Sequence, residues 1–328
     1  MADLNHHLTI SWRSKSVKRS AVLMLLGLVL LYGVIPNLHS LFGLELHLRL
    51  PKAPAYLIAA ILSYYLTFIF SSLSYRFLAI KKLRLGQVWL VQLASAPLNL
   101  LLPAGIGGIS INYLFLRTKQ FSQTISGLVI AFNNALGIAG NVSLLLLWLL
   151  LFGVNSSLLH AYRQHESLII LVLLLVLLGL LILILFLNSA QVLARHVRQN
   201  LTKALKLYQH SSRWLRVIGA YSCAIAQAIV TALAFWLTLK AFRINLAYPI
   251  TFLIYSLSVL VGGFFPTPGG LGGVEASLVA GIVAVHGSDT SLALSAVLGY
   301  RAISYWLPAF TGGFALFLVR RLRLIKWR

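Results

Sequence analysis

Acidic side chains are almost missing from this chain: Asp3, Glu45, Glu166, Glu275 and Asp289 are the five in 328 residues, and no two lie close in sequence. Reactions that hold metal ions between clustered carboxylates, such as phosphatidyl transfer, find no local pair to use. Cysteine is scarcer still. The single Cys223 lies inside an apolar run, which excludes a disulfide framework or a thiolate metal site within one chain. The nine histidines sit in tails, connections or span ends, so neither a proton relay nor a metal cluster is expected of them. We expect no cofactor and no enzymatic activity. Charged residues of both signs make up 10% of the chain, against 59% hydrophobic residues and a mean hydropathy of +0.90. Those values exclude a soluble domain and indicate an integral membrane protein.

The charge that remains is nearly all positive, with a net value of +22. Nucleic acid is not the expected partner, because the basic residues sit in short connections between apolar runs. There they act as topology determinants and as contacts to anionic lipid head groups. Runs long enough to cross a hydrocarbon layer of roughly 30 Å occur near 20–38, 55–79, 122–152, 167–188, 217–239 and 290–319. The first is read as a retained span, since Ile35-Pro36-Asn37 offers no small-x-small cleavage site. Two further apolar regions, 87–116 and 249–287, are interrupted in the middle. Each is either a re-entrant hairpin of two half-helices or a pair of short crossings.

The interruptions carry a repeated motif. Pro103-Ala104-Gly105-Ile106-Gly107-Gly108-Ile109-Ser110 returns as Pro268-Gly269-Gly270-Leu271-Gly272-Gly273-Val274-Glu275, offset by 165 residues. Matched glycine- and proline-broken segments, one per half, point to the substrate site of a transporter built from inverted repeats. The basic residues agree. If each broken region returns to the side it left, both termini and the connections at 76–86, 117–121 and 189–216 share one side, with 21 of the 27 Lys and Arg. That side is then the cytoplasm. Three full crossings per half invert the second copy. The expected organisation is a basic cytoplasmic tail over 1–19, a first transmembrane repeat over 20–160, a second, inverted repeat over 161–319, and a basic cytoplasmic tail over 320–328. The fold class is all-α: a polytopic helical bundle with inverted-topology repeats and two re-entrant hairpins.

Gly107-Gly108 and Gly272-Gly273 each precede a run that can be helical. Each can therefore mark a half-helix N-terminus, whose free N–H groups and dipole favour an anion, and glycine lets a phosphate approach the backbone. Close helix packing through small residues is the alternative. Glu275 and Arg301 are the ionisable residues well inside apolar segments. Charge at that depth is costly, usually paired, and marks function by default. The pair is either a structural ion pair, or Arg301 is a phosphate ligand with Glu275 as resting counter-ion or proton-coupling group. The expected substrate-binding set is Gly107, Gly108, Gly270, Gly272, Gly273, Glu275 and Arg301. Ser110 and Asn112 are polar residues near the first motif, as are the mid-span Asn133 and Asn134, which either line a cavity or bond across helices.

The first motif, the second motif with its glutamate, and the downstream Tyr300-Arg301 resemble the flippase-like transmembrane domain of lysylphosphatidylglycerol synthases, over about residues 15–320. Family members often carry an arginine shortly after the first motif, where this chain has Ser110-Ile111-Asn112. The resemblance is to stand-alone members without the cytoplasmic aminoacyl-transfer domain. It implies a lipid flippase of the bacterial inner membrane, with a membrane phospholipid or a polyprenyl-phosphate as its partner. A non-transporting scaffold for a lipid-synthesis enzyme is the alternative.

Overall fold

The computed structural model describes residues 49–102, 105–152, 211–263 and 267–325. The expected tail 1–19 and the spans 20–38 and 167–188 lie outside the described residues. Within them the chain is helical, without strands. Helix α1 (Pro54–Leu78) opens on a proline in its first turn, where the missing N–H has no intrahelical partner to lose. Helices α2 (Leu85–Leu101) and α3 (Ile106–Thr118) follow, parted at Gly105, which takes the left-handed conformation at φ 70°. Helix α4 (Gln123–Phe152) completes this half.

Helix α5 (Ser211–Ala241) leads to α6 (Tyr248–Gly263), a short turn at Pro268–Gly270, and α7 (Gly273–His286). Gly287 ends α7 in the left-handed region, and Asp289 caps α8 (Thr290–Arg301) by accepting the Ser291 N–H. A π segment, Ala302–Trp306, joins α8 to α9 (Leu307–Arg321) without a break.

Among the described residues, four stretches are long and apolar enough to cross a membrane: Pro54–Leu78, Gln123–Trp148, Trp214–Ala241 and Thr290–Arg321. They coincide with four of the expected spans. The broken regions also fall as expected, each as two shorter helices. At 17 and 13 residues, α2 and α3 reach only about 25 and 20 Å, less than the hydrocarbon thickness. Large apolar side chains face outward, including Leu62, Phe310 and Phe314. Such a surface suits lipid, not water.

Helix pairing follows a pattern. α1 lies against α5, α2 against α3 and α6 against α7, while α9 packs on α2 and α4 on α6. Exchanging each helix for the one about 165 residues away turns these pairings into one another, since α1 maps to α5, α2 to α6, α3 to α7 and α4 to α8–α9. The two equivalent helices at the centre, α1 and α5, run antiparallel. The N–H of Lys52 donates to the Ala241 carbonyl at 2.9 Å, Ser63 Oγ donates to the Val230 carbonyl at 3.1 Å, and Gly219 faces the Phe77 ring.

The connections gather at two ends. At one end, Ala79, Leu83, Phe121, Leu324 and Ile325 belong to a single buried cluster, so the turns after α1, α3 and α9 meet there. At the other end, Arg49 pairs with Asp289 at 3.1 Å, and Lys52 meets the end of α5.

Candidate functional site

The second glycine motif folds as a chain of positive-φ residues: Gly269 at 65°, Gly270 at 67° and Gly272 at 89°. Side-chain-bearing residues rarely adopt these values, which is why glycine recurs here. Each position also has its own surroundings. A Cβ on Gly269 would lie 2.1 Å from the Tyr305 ring, and one on Gly270 would crowd Val274 and the Gly262 carbonyl. Gly273 is buried. Gly272 alone of this set faces open space.

The turn delivers Glu275 to the first turn of α7. One carboxylate oxygen accepts the Gly272 N–H at 2.7 Å, and the other lies 2.6 Å from Nε of Arg301. Glu275 therefore occupies the anion-favouring end of α7 with its own side chain. Arg301 sits eleven residues into the Thr290–Arg321 span, roughly 16 Å along its axis. Its Nη2 donates to the Gly269 carbonyl at 3.3 Å, and its guanidinium faces the Tyr305 ring 5.5 Å from the centroid. The paired side chains are 17% (Glu275) and 11% (Arg301) exposed, so the pair is covered but reachable. On the neighbouring side, Tyr300 is buried between Phe235 and Tyr255, at centroid distances of 5.0 and 6.2 Å. That packing fixes α8 one residue before the arginine.

The π segment starts at the residue after Arg301. The N–H of Leu307 bonds back to the Ala302 carbonyl, five residues earlier. Pro308 explains the need, because its ring displaces the carbonyl four residues before it and offers no N–H in return.

The first motif is built differently. A Cβ on Gly107 would lie 2.3 Å from the Leu98 backbone, so this glycine serves the close approach of α2 and α3. The Gly108 N–H, which an anion could have used, donates to Asn99 Oδ1 at 2.6 Å. Asn112 donates to the Gly108 carbonyl and accepts from Gln92, which in turn accepts from Ser71 on α1. Asn133 accepts from Ser74 across helices, whereas Asn134 and Ser110 line a cavity of about 710 Å³ between α3 and α4. Thus Glu275 and Arg301 meet beside Gly269 and Gly272, while Gly107 and Gly108 take their contacts from Leu98 and Asn99. The turn at Pro268–Gly270 packs on α2, which links the two broken regions.

Comparison with protein families then adds to the geometry. The sequence model described as the lysylphosphatidylglycerol synthase TM region matches residues 17–312. The chain belongs to this family. No curated protein matches it. Membership of the lysylphosphatidylglycerol synthase TM-region family makes it a membrane protein linked to lipid handling.

Sequence reasoning missed Asn99, Gln92, Gly269 and Tyr305. Tyr305 had a signal, four residues after Arg301 on one helix face. Asn99 and Gln92 are mid-helix polar residues whose partners only the tertiary fold supplies. Gly269 acts through its carbonyl, which no side-chain pattern reveals.

Proposed function

We propose that this chain moves a phosphate-bearing lipid, an anionic phospholipid or a polyprenyl-phosphate, across the bacterial cytoplasmic membrane without catalysing a covalent step. The observation that carries the reading is the covered Glu275–Arg301 pair, whose carboxylate also takes the Gly272 N–H beside open space. A lipid phosphate that displaces Glu275 inherits a helix end and a guanidinium, while its acyl chains remain among the outward-facing apolar side chains.

The antiparallel seam between α1 and α5, together with the recurring pairings, supports an inverted repeat with α2–α3 and α6–α7 as opposed re-entrant hairpins. The gathering of basic connections at one end supports placing that end in the cytoplasm, with both termini. The two hairpins then play unequal parts. The α6–α7 turn binds the head group, and the polar network around Gly108 holds α2 and α3 together.

The test is movement of fluorescent anionic and zwitterionic lipids in proteoliposomes holding wild type, Arg301→Ala or Gly272→Leu. Wild type should move an anionic lipid faster than empty liposomes do, and both variants should lose that activity while remaining inserted. Equal rates in all three, or no movement of any phosphate-bearing lipid, would favour a scaffold for a lipid-synthesis enzyme.

A further inference from the structure

A second cavity, of about 360 Å³, opens between the end of α1 and Arg216 of α5, lined by Arg76, Lys81, Lys82 and Arg216 and, on α1, by Phe77 and, one turn deeper, Leu73. Four cations around one small space repel each other and call for a counter-charge. The described carboxylates do not supply one. Glu275 is paired with Arg301, and Asp289 is paired with Arg49 at the opposite end. Three acidic residues remain in the sequence, Asp3, Glu45 and Glu166, and in the topology proposed above Asp3 alone shares this side.

The cavity is also shaped in a particular way. Lys81 is held in place: its Nζ donates to the Gln120 carbonyl at 3.1 Å and lies 5.6 Å from the centre of the Phe121 ring. Arg216 reaches the same space from α5. Leu73 and Phe77 lie four residues apart on one face of α1, so an apolar wall runs from the basic mouth toward the middle of the helix. The Phe77 ring is seated against Gly219 of α5.

A basic mouth that continues into an apolar wall fits a molecule with a phosphate at one end and hydrocarbon at the other. A free phosphate would use the mouth and leave the wall empty. We propose that this cavity binds the head group of an anionic phospholipid from the leaflet at the end where α1 stops and α5 starts, as a site separate from the Glu275–Arg301 pair. It holds whether or not the chain transports lipid.

The experiment is native mass spectrometry of the full chain in detergent, titrated with phosphatidylglycerol or phosphatidylcholine. Wild type is compared with Lys82→Gln/Arg216→Gln, with Arg301→Ala, and with a control at the same end, Arg320→Gln/Arg321→Gln. The Lys82/Arg216 variant should bind its first phosphatidylglycerol at least tenfold more weakly, with phosphatidylcholine unchanged. The control should bind as wild type does, and the loss caused by the Lys82/Arg216 substitutions should be equally large in an Arg301→Ala background, which separates this site from the one proposed for transport. A charge-preserving Lys82→Arg/Arg216→Lys variant should keep the affinity and so exclude misfolding as the cause. An equal loss in the control would reduce the effect to diffuse surface charge and overturn the proposal. Displacement of the lipid by millimolar inorganic phosphate would overturn it too, in favour of a soluble anion.

Discussion

Two opposite charges with little solvent around them stabilise each other only while both are present. Removing one partner of a fully buried pair costs about 3–5 kcal/mol. Here Glu275 keeps the Gly272 N–H, and both side chains retain some exposure, so the expected cost is nearer 1–3 kcal/mol. Arg301→Gln and Glu275→Gln should each lower the unfolding temperature in detergent, and the double variant should recover part of the loss. Lipid movement should stay absent in all three; its return in the double variant would make the pair purely structural. The glycines provide a second contrast. Gly107→Ala places a Cβ 2.3 Å from the Leu98 backbone and should destabilise by roughly 1–3 kcal/mol. Gly137→Ala meets nothing within 4 Å inside α4 and should be neutral, or stabilising by up to about 1 kcal/mol. Thermal unfolding of both variants checks the pair of outcomes.

Among the elements, the α1–α5 seam is the most exposed to test, since its antiparallel register is set by contacts near both ends and at Ser63–Val230. Cysteines at Ser63 and Val230, in a background with Cys223→Ala, should form a disulfide on mild oxidation, whereas Ser63 paired with Gly219 should not. A band shift for the second pair alone would reverse the register. The four long helices and both breaks were legible in the sequence because length, hydropathy and glycine act locally. The register of α1 on α5 was not, because it depends on which small or polar side chains meet across helices. The site divides in the same way. Glu275 and Arg301 stood out because charge is so rare in apolar segments, yet nothing local told Gly108, whose N–H goes to Asn99 of the preceding helix, from Gly272, whose N–H goes to the arginine-paired Glu275. The π segment also escaped notice. Pro308 announces a distortion, but whether it becomes a kink or a π turn is decided by packing.

Across the whole molecule, the two ends make sidedness measurable. Lys52 and Lys82 are both exposed, one at the end that holds the Arg49–Asp289 pair and one at the basic end. In intact cells an impermeant thiol reagent should label Lys52→Cys and spare Lys82→Cys until the membrane is opened. Labelling in the reverse order would turn the protein upside down in the bilayer.

The pairing of Glu275 with Arg301 finally bears on voltage. With the lipid absent, the two charges cancel. If an anionic lipid replaces the carboxylate and Glu275 takes up a proton, the loaded site is neutral as well. Moving one unbalanced charge through 100 mV would involve about 2.3 kcal/mol, and neither form carries such a charge through the membrane. Lipid movement in proteoliposomes should then be indifferent to an imposed membrane potential and respond to a pH difference. Such a protein could work in a cell whose membrane is electrically discharged, provided the proton concentrations on its two sides still differ.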